Sequence, residues 1–117
     1  MIEFITANTV FIACGATDLR KSFTGLASIV KLKFRLDPYS RCIFAFCNRN
    51  RTLIKLLQWD GSGLWLHMKR IDRGNFRWPD TPDEVKQVSL KEIRWILEGL
   101  SLEQKNAFKD RHPIVIL

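Results

Sequence analysis

The chain has 117 residues, 46% hydrophobic and 11% aromatic, and 19 Lys and Arg against 12 Asp and Glu give it a net charge of +7. A chain of this length holds one core, which needs neither metal nor disulfide because roughly two-thirds of its unfolded surface is buried on folding. The composition excludes a disordered or low-complexity chain, and no apolar run approaches the roughly 20 residues that cross a bilayer.

In chain order, Met1-Ile2-Glu3-Phe4 lacks a basic stretch followed by an apolar one, so the expected setting is cytoplasmic. Thr9 to Cys14 is a β-branched and aromatic run closed by Gly15, which predicts a strand. Asp18 fits an N-cap, with Leu19, Phe23, Leu26, Val30 and Phe34 forming an apolar stripe of helical period. Asp37-Pro38 closes that helix, because a residue preceding proline disfavours α geometry.

Arg41 to Cys47 is nearly all apolar and predicts a central strand covered on both faces. Leu53 to Trp59 is the next strand, Asp60-Gly61-Ser62-Gly63 a tight hairpin turn, and Leu64 to Ile71 the return. A second turn at Asp72-Arg73-Gly74-Asn75 precedes a short strand, Phe76-Arg77-Trp78, stopped by Pro79. Asp80 to Glu84 is an acidic connector. Ser89-Leu90-Lys91-Glu92 has capping-box spacing, and Gly99 marks the end of that helix. Ser101-Leu102-Glu103-Gln104 repeats the capping pattern, and Ile114 to Leu117 is an apolar tail.

Cys14, Cys42 and Cys47 are odd in number, lack C-x-x-C spacing and lie beside apolar residues, so buried, reduced thiols are expected. No metal site is expected from them with His67 or His112, and no cofactor motif appears. Asp18, Asp37, Asp60 and Asp72 occupy cap or turn positions, where aspartate serves local backbone hydrogen bonds more often than catalysis. No catalytic residue is assigned.

The charge is regional. Residues 20–78 hold thirteen basic side chains against Asp37, Asp60 and Asp72, whereas the remainder holds six basic and nine acidic. Arg49 and Arg51 share one connection and Arg70 and Arg73 flank another, and alternate connections of a meander lie on one edge. Such clustering favours polyanions, because each neutralised phosphate releases condensed counterions. The expected nucleic-acid contacts are Arg20, Lys21, Arg49, Arg51, Lys55, Lys69, Arg70, Arg73 and Arg77, with Trp59 and Trp78 stacking on bases or bracing the sheet. A basic surface is also commonly just a solvated face, and tryptophans in a small domain are usually core.

The order of motifs resembles a known family. Ala13-Cys14-Gly15-Ala16-Thr17-Asp18-Leu19-Arg20-Lys21 resembles A-C-G-x-T-D-M-R-K, the opening motif of the TnpB accessory proteins, encoded by the second open reading frame in insertion sequences of the sixty-six family. Leu36-Asp37-Pro38-Tyr39-Ser40 is similar to that family's L-D-P-F-S. The stretch from Phe46 through Asn48-Arg49-Asn50-Arg51, Lys55-Leu56-Leu57-Gln58-Trp59-Asp60-Gly61-Ser62-Gly63 and Lys69-Arg70 to Trp78-Pro79 is similar to F-x-N-R-x-R … K-L-L-Y-W-D-G-x-G … K-R-L-E-x-G-x-F-x-W-P. The likeness spans residues 10–79 and, weakly, the Leu90–Leu100 helix. Leu19 replaces methionine, Ser22 and Thr24 replace glycine and aspartate, and Gln58 replaces an aromatic residue.

The expectation is a single α+β domain over residues 1–117, with a motif-bearing part at 10–79. Its parts are an antiparallel β-meander, one N-terminal helix and a C-terminal helical segment over 89–110. The resemblance implies a bacterial accessory protein of DNA transposition, partnered by DNA and by the separate transposase that carries the strand-transfer chemistry. It carries over no catalytic residues. Two alternatives are a protein-only interaction module and, less favoured, a metal-dependent nuclease using Asp60 and Asp72.

Overall fold

Val10 and Ile12 face one side of the first strand and Phe11 and Ala13 the other, and none of the four is exposed, so that strand is covered on both faces. In a computed structural model, which describes residues 9–103, this strand is β1 (Thr9–Ala13). Beside it lies β2 (Ile43–Cys47), buried at every position and parallel to β1, with Val10 opposite Ile43. A parallel pair needs a crossover. Here it is helix α1 (Phe23–Ser28), which widens into a π-helical turn over Ile29–Lys33, where the Phe34 N–H donates to Ile29 O at 3.1 Å.

β3 (Leu53–Trp59) and β4 (Leu64–Arg70) follow antiparallel and, with β2, form the expected meander. β5 (Val85–Ser89) then pairs antiparallel on the far side of β1, giving the order β4-β3-β2-β1-β5. The fold is therefore α+β on a mixed five-stranded sheet. It is not a strict meander, because β1 is inserted beside β2 in parallel.

Each face has its own core. Leu26, Ala27 and Val30 of the α1 region pack with Ala13, Phe44, Phe46 and Leu57. On the opposite face Ile93 and Ile96 of helix α2 (Leu90–Leu97) pack with Val10, Ile12, Ile43, Ala45, Ile54 and Leu56, joined by Phe76 and Trp78. Full burial of each large aliphatic side chain contributes roughly 1.5–3 kcal/mol. Helices on both faces explain why β2 has no polar residue.

The capping box of α2 is complete: the Glu92 N–H donates to Ser89 Oγ at 3.1 Å and the Ser89 N–H to Glu92 Oε1 at 3.0 Å. The helix ends as expected at Gly99, whose φ of +87° lets its N–H reach Ile96 O while the Leu100 N–H reaches Trp95 O.

Three expectations need correction. The first helix starts after Ser22, not after Asp18, because Asp18 is drawn into a turn with Arg20. Phe76-Arg77-Trp78 is not a strand: Phe76 and Trp78 alternate inward with Arg77 outward, but no strand pairs with them. The residues after the acidic connector instead supply β5, which the sequence reading left unassigned. Residues 1–8, the part of the expected helical segment 89–110 that follows Glu103, and the tail 114–117 lie outside the described residues.

Candidate nucleic-acid interface

β1 and β2 are parallel, so their carboxyl ends lie at one end of the sheet, where open sheets with parallel strands place ligands. Three stretches meet there: the loop 14–22 after β1, the turn 48–52 after β2, and the segment 71–80 after β4. Hydrogen bonds lace them together. The Thr17 N–H donates to Cys47 O (2.8 Å), Gly15 N–H to Pro79 O (2.9 Å), Ile71 N–H to Thr52 O (2.9 Å) and Phe76 N–H to Arg51 O (2.7 Å). Asn48 closes its own turn, its Oδ1 accepting from the Thr52 and Leu53 N–H groups. Gly15 has φ +77°, and a Cβ there would lie 3.1 Å from Pro82 Cα, so the loop needs glycine.

With Arg70, the last residue of β4, these stretches carry Arg20, Lys21, Arg49, Arg51, Arg70, Arg73 and Arg77 against Asp18, Asp72 and Asp80. Asp18 and Asp80 are already ion-paired, with Arg20 and Arg51. A cleft of about 620 Å³ opens between the loop and the turn, walled by Ala16, Thr17, Leu19 and Leu53 and carrying Arg20, Arg49 and Arg70. Arg20 grips Asp18 as a fork, Nε to Oδ1 at 2.9 Å and Nη2 to Oδ2 at 2.8 Å. That guanidinium, with the Arg20 backbone N–H, holds the Asp18 carboxyl well below the usual carboxylate range.

The expected contact residues divide. Arg20, Arg49 and Arg70 share the cleft, and Lys21, Arg73 and Arg77 are exposed on the stretches around it. Arg51 is only 18% exposed in its side chain and ties Gly15 O (3.1 Å) to the Asp80 carboxylate, so it holds the stretches together. Lys55 is 8% exposed, its Nζ donating to Leu19 O at 2.6 Å and Lys21 O at 3.1 Å. Lys69 turns to the other face and donates to Leu97 O at the end of α2. Trp78 is core, its indole N–H on Ala13 O at 3.0 Å. Lys55 and Trp78 are buried with their polar ends committed within the fold, so they are not placed to meet a phosphate or a base, whereas Lys69 remains exposed beside its contact with α2. Trp59 is half-buried, edge-on to Tyr39 at 5.1 Å between centroids.

Trp65, which the sequence places on the same run of strands as Trp59, was not among the expected contacts. It is 41% exposed, its indole N–H on Asp60 Oδ2 at 2.7 Å and its ring parallel to His67 at 5.7 Å. Its place as the second residue of an edge strand, outward from the apolar side, was the available signal.

The nuclease alternative finds no support in geometry. Asp60 and Asp72 flank opposite ends of the seven-residue β4, and Asp60 is committed to its turn. The Ser62 N–H, then the Trp65 indole and the Gly63 N–H, keep its carboxyl well below the ordinary range. No group of three His, Cys, Asp or Glu side chains among the described residues is placed to hold a metal ion. The three cysteines are free, and burial pushes the Cys47 thiol up to about 11, so it stays protonated at neutral pH.

Burial lowers the pKa of His67 from its ordinary value of 6.5. The folded state therefore favours neutral imidazole, and the unfolded chain binds the proton more readily. Stability is expected to fall as pH drops below about 6.5, whereas Asp18 and Asp60 withdraw their contributions only below about 4. Thermal melts between pH 7 and 5 check this: the decline in Tm should be shallower in His67→Gln, and an equal decline would discount burial of the imidazole.

Residues 8–107 match the family model described as IS66 Orf2 like protein, which covers every described residue. Two proteins of Sinorhizobium fredii (strain NGR234) are similar. Uncharacterized protein y4hO is 36% identical over 91 residues, 78% of this chain and 79% of that protein. Uncharacterized protein y4jC is 30% identical over 91 residues, 78% of each chain. No solved structure matches the chain.

Proposed function

The chain belongs to the IS66 Orf2-like family of insertion-sequence proteins, and from that premise we propose a non-enzymatic accessory protein that assists transposition by gripping DNA through the cationic end of its sheet. One observation carries this reading: basic residues from three distant stretches are laced onto one end, with two of the three acids there already paired. Dispersed charges would give each phosphate a separate weak contact. Gathered charges release several counterions in one binding event, which gives affinity a steep salt dependence. The transposase of the same element is the protein partner that this role requires, meeting the chain on DNA.

The test is a salt titration of binding to element-end DNA and to scrambled DNA. Arg49→Ala and Arg73→Ala are each expected to weaken binding to both DNAs and to flatten the log–log salt slope by about one unit. Unchanged affinity and slope in both variants would remove this surface from the interface. Pull-down with the transposase, with and without nuclease, separates the protein-only alternative: contact that survives digestion does not run through DNA.

A further inference from the structure

We propose that the cleft between the loop 14–22 and the turn 48–52 is a subsite for one unpaired nucleotide of a DNA strand, with the phosphate on Arg20, Arg49 and Arg70. The inference rests on the DNA-binding reading and narrows it to a strand form. Size comes first. The cleft is open to solvent, and at about 620 Å³ it has room to seat a nucleotide, within the range of roughly 300–1,000 Å³ typical of small-molecule sites. A duplex is convex, with its bases paired inside, so it meets only the rim.

Charge comes second. The three guanidinium groups arrive from three separate stretches, and among the described residues Arg49 and Arg70 carry no ion pair. The Asp18 fork occupies the Nε and Nη2 edge of Arg20 and leaves Nη1 for an anion. Asp18 is thus a positioning residue: it aims the guanidinium and has its own charge neutralised. Guanidinium planes also stack on bases, so the same groups can hold phosphate and cover an unstacked base.

Rigidity comes third. Lys55 clamps the carbonyls on either side of Arg20, Thr17 is tied to the end of β2, and Asn48 fixes its turn through three side-chain hydrogen bonds. The walls exist before a ligand arrives, which lowers the entropic cost of binding. Ala16, Leu19 and Leu53 give the sugar and base an apolar surface.

The experiment compares a short blunt duplex, the same duplex with a single-stranded overhang, and the free nucleotide dAMP as competitor. The native protein is expected to bind the overhang about tenfold tighter than the blunt duplex. Arg49→Gln and Arg70→Gln should erase that preference in addition to any loss on the blunt duplex, whereas Arg77→Gln, outside the cleft, should weaken both DNAs equally and leave the preference intact. Excess dAMP should abolish the preference and leave blunt-duplex binding in place, an arm that needs no variant to fold. Equal native affinity for the two DNAs, or a preference that survives both cleft variants, overturns the subsite and leaves the DNA-binding reading standing. Failure to bind either DNA overturns both.

Discussion

Trp78→Ala is expected to destabilise the domain by about 3–5 kcal/mol, the usual range for deleting a buried aromatic side chain. Trp78 is 6% exposed and packs against the α2 face of the sheet while its indole N–H satisfies Ala13 O in β1. It lies in a stretch with no helix or strand, so the indole is a main fastening of residues 71–80 to the sheet. Small domains have only about 5–15 kcal/mol of net stability, so the loss is a large share of the whole. Urea denaturation measures it directly. Trp78→Phe should recover much of the burial and still cost about 1–3 kcal/mol for the carbonyl left without its donor. If the proposed DNA-binding reading holds, this variant, well below its unfolding transition, should bind DNA as the native protein does. A folded Trp78→Phe protein with native stability and weakened DNA binding would return Trp78 to the role of a stacking platform.

The second large effect is expected at Lys55. An ammonium group this buried carries a desolvation cost that its two carbonyl partners offset. Lys55→Met leaves those carbonyls short of a partner, with an expected loss of about 1–3 kcal/mol for each. Leu19 O and Lys21 O flank Arg20, so the loop that presents Arg20 also loosens. Weakened DNA binding should follow, and Arg20→Ala should add little when combined with Lys55→Met. A double-mutant cycle on DNA affinity checks the coupling. Strictly additive losses would mean that Lys55 reaches a phosphate itself and that its clamping role is wrong.

Much of the fold was legible where its determinants are local. The Asp60-Gly61-Ser62-Gly63 turn, the apolar strand before Cys47 and the capping box at Ser89 each follow from residues within a few positions of one another. What was not legible depends on distant partners. Leu19 fits the helical stripe and is buried, yet its neighbourhood is a loop whose carbonyls are held by a lysine 36 positions away. β5 is short and carries no turn signal, and its pairing with β1 joins residues about seventy-five positions apart. The cationic end was inferred from charge alone. Its division into cleft-lining arginines and internally committed side chains was not. One cue was present: Lys55 sits in a strand flanked on both sides by apolar residues, where a lysine lacks a polar face to occupy.

The lacing of the three stretches has a consequence for gene interruption. Gly15 meets Pro79 and Ala13 meets Trp78, contacts spanning some sixty-five positions. Such long-range closures carry a loop-closure cost and need both partners present. A prematurely terminated product that stops before Trp78, though it retains Arg20, Arg49 and Arg70, would have the charges without the scaffold that gathers them. On the proposed reading, a fragment that ends before Trp78 is expected to lose polyanion affinity together with the fold, rather than in proportion to the charges removed.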